Sequence, residues 1–279
     1  MDKRNTGSGV LRLAVVAGTL LLSACSFSSR DSGPSRAMDF SHLPDAVPKH
    51  EKRTRAGNPK TYVVLGKRYY VKKSSRGYRE RGIASWYGKK FHGRKTSNGE
   101  IYNMYAMTAA HKTLPIPTYL QVTNLKNGKQ VVVRVNDRGP FHENRIIDLS
   151  YAAASKLGIT ASGTGMVELR AIEPGEPTTT PTRLADSAPA PAVSPPPAEA
   201  LSARLYLQLG SFISRNNAES LRARLALNNV IGAAVEQSTV DRRPIYRVRI
   251  GPLNSVEEAD RLALRIDRLG IGIPSIVID

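Results

Sequence analysis

Four strings concentrate the reactive residue types of this chain: G-I-A-S-W-Y-G at 82–88, F-H-G-R-K-T-S-N-G-E at 91–100, T-A-A-H at 108–111 and N-D-R-G-P at 136–140. Residues 82–173 hold only six acids: Glu100, Asp137, Glu143, Asp148, Glu168 and Glu173. Asp137 closes a valine-rich strand and precedes Arg138-Gly139-Pro140, so it sits where a rigid element hands over to a loop. Glu100 lies in the polar loop Ser97-Asn98-Gly99-Glu100, and His111 ends the third string. Carboxylates and a histidine held this way are the group types of general acid–base chemistry. The structural alternatives are an Asp137–Arg138 ion-paired turn, an exposed loop carboxylate at Glu100 and a satisfied core histidine at His111. Asp148 reads as a cap for the helix that begins at Ser150. A single cysteine and five histidines argue against a disulfide framework, a cysteine-clustered metal site and a multi-histidine site, so no metal and no cofactor is expected.

The elements that must carry these groups follow from periodicity. Thr118–Leu125 and Lys129–Asn136 flank Lys126-Asn127-Gly128, a strong hairpin signal. Val131, Val133 and Val135 alternate with Val132 and Arg134, as in a strand with two different faces. Ser150 suits the N-cap of a helix through Leu157, Gly158 suits its C-terminal stop, and Gly165–Glu173 reads as a closing strand. Thr61–Val71 reads as a hairpin turning at Gly66-Lys67. Short strands with one small helix point to a small, mainly β barrel.

The rest of the chain divides by composition. Lys3, Arg4 and Arg12 precede the apolar Leu13–Leu22, which is shorter than the roughly 20 residues a bilayer span needs and fits a secretory signal. It ends in Leu22-Ser23-Ala24-Cys25, which resembles a bacterial lipobox; the resemblance implies cleavage before Cys25 and lipidation of its thiol. Ser26 in place of Asp points, by resemblance to the lipoprotein sorting pattern, to the outer membrane. Residues 25–60 read as a lipidated flexible tether, rich in Ser, Pro, Lys and Arg without periodicity. Residues 174–200 hold eight of the 18 prolines and read as an extended linker.

Residues 201–279 contain an internal repeat: Gly210 to Ala218 in one copy, Gly251 to Ala259 in the other. Each copy is strand, glycine turn and amphipathic helix, and Ser255 with Glu258 forms a capping box. The expected architecture is β-α-β twice, a ferredoxin-like α+β sandwich. Alternation turns Leu205, Leu207, Leu209, Val248 and Ile250 toward the helices and Tyr206, Gln208, Arg247 and Arg249 to the open sheet face.

Net charge is +18, and residues 26–81 supply half of it, with 14 basic against five acidic residues. The charge asks for a polyanionic partner. An export signal and the absence of a concentrated basic domain argue against nucleic acid.

The four strings, in this order and spacing, resemble the double-psi β-barrel of the rare lipoprotein A family of septal lytic transglycosylases, from about Tyr62 to Ile172. Ser97 stands where that family usually has Ala, a departure expected to leave catalysis unaffected. The second half, with L-Y-L-Q-L-G-S-F at 205–212 and Y-R-V-R-I-G-P at 246–252, resembles a SPOR domain. The implied layout is signal peptide 1–24, tether 25–60, barrel 61–173, linker 174–200 and SPOR domain 201–279. The implied activity is cleavage of MurNAc–GlcNAc bonds in denuded peptidoglycan with 1,6-anhydro ring formation, during septal wall processing, in endolytic or exolytic mode. The resemblance carries the catalytic acid onto Asp137 and supporting roles onto Glu100 and His111. Asn136 and Arg138, with Trp86 and Tyr87 as aromatic faces (or core), are the expected substrate contacts in the barrel. Tyr206, Gln208, Ser211, Phe212, Arg247 and Arg249 are the expected glycan contacts of the SPOR domain, with Phe212 alternatively core. The expected partners are denuded glycan strands, outer-membrane lipid through Cys25 and divisome proteins. A non-catalytic wall-binding division lipoprotein and a water-using muramidase are the competing readings.

Overall fold

The computed structural model describes residues 31–36, 38–175 and 203–279. The signal segment, Cys25 and most of the 174–200 linker lie outside the described residues.

A hairpin of β1 (Thr61–Val64) and β2 (Lys67–Tyr70) precedes a closed six-stranded barrel. The barrel consists of β3 (Arg79–Tyr87), β4 (Thr108–His111), β5 (Thr118–Asn124), β6 (Gln130–Asp137), β7 (Arg145–Ser150) and β8 (Thr164–Ile172). Around the barrel the order is β3-β7-β4-β6-β5-β8. The β3–β7 and β4–β6 pairs are parallel and the others antiparallel. Each parallel pair needs a crossover, so strands distant in sequence become neighbours. That places the end of β6 beside β4, with Ala110 opposite Asp137.

Val131, Val133 and Val135 point into the core with Ala109, Leu120, Ile147, Leu149 and Leu169. Helix α1 (Tyr151–Leu157) starts at Ser150, whose hydroxyl accepts from the Ala153 N–H, and stops at Gly158 in the left-handed conformation. Its alanine face lets the helix lie close on the barrel.

Residues 38–60 are not a loose tether within the described structure; they form a strap along the barrel. Phe40 is only 6% exposed and packs in the barrel core. The Ala46 N–H donates to the Val132 carbonyl (3.0 Å) and the Val132 N–H to Asp45 Oδ2 (2.8 Å). The strap thus takes hydrogen-bonding groups of β6 that β4 does not reach, and Val132, on the outward face, is buried as well. Its anchors are single side chains at irregular spacing, each with a partner far away in sequence. A periodicity search has nothing to find there.

The C-terminal domain is β9 (Leu205–Phe212), α2 (Arg215–Leu227), β10 (Ala233–Val240), β11 (Arg243–Leu253), α3 (Val256–Arg268) and β12 (Ser275–Ile278). Its sheet order β10-β11-β9-β12, all antiparallel, is the expected ferredoxin-like arrangement. Leu205, Leu207, Val248 and Ile250 are buried with Ala218, Leu225, Ala259 and Ile266 of the helices. Ser255 caps α3 by accepting from the Glu258 N–H. The two domains meet where Ile83 of the barrel joins this core and Arg145 pairs with Asp260.

Candidate active site

Asp137 is the last residue of β6. Three donors converge on its Oδ1: the Ser97 N–H (2.8 Å), the Ser97 hydroxyl and the Arg138 N–H (2.7 Å). No protein donor reaches Oδ2 among the described residues, so the carboxyl is oriented through one oxygen and presents the other. Ser97 therefore touches the candidate acid directly, and its hydroxyl also accepts from the Arg138 N–H. Serine in place of the family's usual alanine adds two hydrogen bonds at the reacting group, where no effect had been expected.

Glu100 stands on the same loop as Ser97. Its carboxylate accepts from both sides: Arg134 Nη1 at 2.8 and 2.9 Å, Asn136 Nδ2 at 2.9 Å and Asn98 Nδ2 at 2.9 Å. Partial burial pushes its pKa up, but the donors from Asn136, Arg134 and Asn98 outweigh that and hold it below the ordinary value. Glu100 is therefore an ionised, oriented carboxylate at neutral pH. Arg134 and Asn136, two apart on β6, share a face. The strand thus presents Arg134, Asn136 and Asp137 to one loop.

His111 is only 3% exposed, and its ring nitrogens serve the framework. Nδ1 accepts from the Thr113 and Leu114 N–H groups (3.1 and 3.0 Å). Nε2 therefore carries the proton, and it lies 2.9 Å from the Tyr78 hydroxyl. Burial first, then the charges of Arg138, Lys112 and Lys72, lower its pKa to about 3. The ring is neutral at working pH and fixes the 111–114 turn, the place of the satisfied core histidine, the alternative to a supporting role.

Arg138, expected as a substrate contact, has its guanidinium engaged with the framework. Nε donates to the Gly57 carbonyl (2.8 Å), Nη1 to the His111 and Leu114 carbonyls (3.1 and 2.6 Å) and Nη2 to Asn58 Oδ1 (3.1 Å). Asn136 is buried; its Nδ2 donates to Glu100, while its Oδ1 has no protein partner among the described residues. Tyr87 is buried against Tyr102, ring centroids 4.0 Å apart and nearly parallel, so it is core and not a sugar platform. Trp86 stays partly exposed, edge-on to Tyr151, beside a cleft of about 300 Å³ shared with Phe91, His142 and Asp148. Asp148 does not cap α1. It is half-buried, accepts the Ser85 hydroxyl, and desolvation raises its pKa.

A family described as lytic transglycolase matches residues 79–169, and one described as SPOR domain matches residues 201–278. A Pseudomonas aeruginosa protein named endolytic peptidoglycan transglycosylase RlpA is 42% identical over 291 residues, spanning 89% of this chain and 84% of its own length. The chain belongs to the RlpA family. A Vibrio cholerae RlpA of the same name is 54% identical over 165 residues, spanning 57% of this chain and 62% of its own. The crystal structure of the RlpA SPOR domain from Pseudomonas aeruginosa is 32% identical, with TM-score 0.25, covering 26% of this chain and 96% of that one.

In this RlpA-family chain the SPOR sheet brings part of the expected glycan face together. Arg249 lies opposite Gln208 and Arg247 opposite Ser211. Arg249 Nε donates to Gln208 Oε1 (3.2 Å), its guanidinium lies over the Tyr206 ring (5.7 Å), and Gln208 Nε2 donates to the Ser211 hydroxyl (3.3 Å). Yet Arg249 is only 8% exposed and is paired with Glu236 (3.2 Å) and Asp279 (2.7 Å). It organises the face more than it offers charge to a ligand. Phe212, opposite Tyr246, packs against the helix-side core and leaves the face. Sequence reasoning missed Arg134, Glu51, Gly57, Asn58 and the direct role of Ser97. Only the alternation of β6, which sets Arg134 and Asn136 on one face, could have pointed to the first.

Proposed function

We infer that this chain is a peptidoglycan lytic transglycosylase in which Asp137 is the single acid–base group. What carries the reading is the Asp137 carboxyl, anchored through Oδ1 by three donors with Oδ2 presented, beside an ionised Glu100. The proton on Oδ2 goes to the oxygen that joins MurNAc to GlcNAc as the bond from the muramoyl anomeric carbon to that oxygen breaks. The Asp137 carboxylate then takes the proton of the muramoyl 6-hydroxyl, whose oxygen bonds to the anomeric carbon and closes the 1,6-anhydro ring. The nucleophile is intramolecular, so neither water nor a second nucleophilic carboxylate is consumed. Glu100, held ionised, faces the positive charge that develops at the anomeric carbon. Trp86 offers a partly exposed aromatic face to the sugar.

The relatives named endolytic support cleavage within strands. The SPOR face of Tyr206, Gln208, Ser211 and Arg247 is the proposed reader of denuded glycan, which makes the protein cell-wall-associated at septa. Lipidation at Cys25 and residence at the outer membrane, facing the periplasm, are proposed from the lipobox alone, and contacts with divisome proteins from the septal assignment. The test is mass spectrometry of denuded glycan digested by the full chain. Anhydro ends support the transglycosylase and reducing ends a hydrolase. Asp137→Asn should lower kcat by about a thousandfold. Wild-type turnover by that variant would sink the assignment.

A further inference from the structure

The strap reaches the site. Glu51, on the strap, holds Arg134 in a two-pronged pair: Nε to Oε1 at 2.8 Å and Nη2 to Oε2 at 2.7 Å. Tyr119 donates its hydroxyl to the same Glu51 Oε1. The remaining nitrogen of the fork, Nη1, is then directed at both oxygens of Glu100 (2.8 and 2.9 Å). A planar guanidinium gripped along one edge has its other edge fixed in direction. The Glu51 side chain is 31% and the Arg134 side chain 18% exposed, so the pair is partly shielded from solvent. Six and seven residues further on, Gly57 and Asn58 take Nε and Nη2 of Arg138, which follows Asp137. The strap therefore grips the arginines on both sides of Asn136-Asp137.

We propose that Glu51 is a positioning residue of the active site, acting through Arg134 to fix the carboxylate of Glu100. The strap is then part of the catalytic domain and not a spacer. This rests on the assignment of Glu100 and Asp137 above. Without Glu51 the guanidinium has no fixed edge, and the direction in which Nη1 holds the Glu100 carboxylate is lost. Substrate binding, which uses other groups, is left largely intact.

The experiment measures kcat, KM and the pH profile of the full chain on denuded glycan, with Glu51→Gln, Arg134→Lys and Glu100→Gln. Glu51→Gln should lower kcat by about tenfold or more while KM stays within about twofold. The acid limb of its kcat profile should move down, because the substitution removes a like charge near Glu100 while Arg134 keeps its own. Arg134→Lys, which keeps the charge but cannot grip two carboxylates at once, should lower kcat likewise. A Val133→Ala chain, destabilised in the barrel core, should keep the parent's limb, which separates positioning from loss of fold. An unchanged kcat and acid limb in Glu51→Gln, with Glu100→Gln inactive, overturns the proposal alone. A fully active Glu100→Gln overturns the site assignment and the proposal with it.

Discussion

The neutral state of His111 carries a stability signature that can be worked through. Its pKa falls from the ordinary 6.5 to about 3 in the folded chain, because the ring is buried and faces Arg138, Lys112 and Lys72. Between these values the unfolded chain binds a proton that the native chain refuses. Stability is therefore fully present above pH 6.5 and declines as pH falls toward 3, by about 1.4 kcal/mol per unit. Going from pH 7.5 to pH 5.0 should cost about 2 kcal/mol through this residue. The perturbation is His111→Gln, which keeps a polar side chain but does not titrate. It should be less stable than the parent at pH 7.5, because the Thr113 and Leu114 N–H groups lose a well-placed acceptor. It should lack the histidine part of the pH slope, so the gap narrows by about 2 kcal/mol at pH 5.0. Urea unfolding at both pH values measures this, and NMR of the imidazole checks that it does not titrate between pH 5 and 8. Equal pH slopes in the two chains, or an imidazole titrating near 6.5, would refute the argument.

Other perturbations test the frame around the site. Phe40→Ala should destabilise the barrel by about 3 kcal/mol, since it removes a core aromatic supplied by the strap; thermal melting reads it. Gly251→Ala should cost about 2 kcal/mol or more. Its φ is +146°, and a Cβ there would sit 2.7 Å from the Tyr206 ring and 2.8 Å from the Leu205 carbonyl oxygen. Arg249→Ala should lower stability of the SPOR domain by about 1 kcal/mol, moderated because Glu236 and Asp279 are about half exposed. Arg247→Ala should leave melting unchanged while weakening glycan binding in a pull-down.

The framework was legible where structure is local. The hairpin into β6, the Ser150 and Ser255 caps and the doubled strand–helix repeat all announce themselves within a dozen residues. So does the placement of Asp137 at a strand end. The environments of the site residues were not legible, because they arise from contacts across long separations. Arg138 looks like a substrate contact until Gly57, Asn58, His111 and Leu114 are seen to take its nitrogens. His111 reads equally as a supporting group of the site or a core histidine until the Thr113 and Leu114 N–H groups are seen to close over it. The strap gave no sign at all, because its anchors follow no period. Phe212 was ambiguous for a different reason: the register shift between Val248 and Arg249 alters the alternation of β9 against β11.

The strap also imposes an order of events on the growing chain. Glu51 leaves a ribosome or an export channel 83 residues before Arg134, and Asn58 precedes Arg138 by 80. Contacts of that separation close late, after local hairpins have formed. A barrel whose strands have paired while its first segment still hangs free would leave Arg134 and Arg138 without their grips. The grips on Arg134 and Arg138 then form no earlier than the β3–β8 pairing that closes the barrel over a similar separation, and competence to cut should arrive only with them. In refolding experiments, activity should lag behind the burial of Trp86. For a protein that cleaves the wall of the cell that makes it, the delay keeps half-finished molecules from cutting.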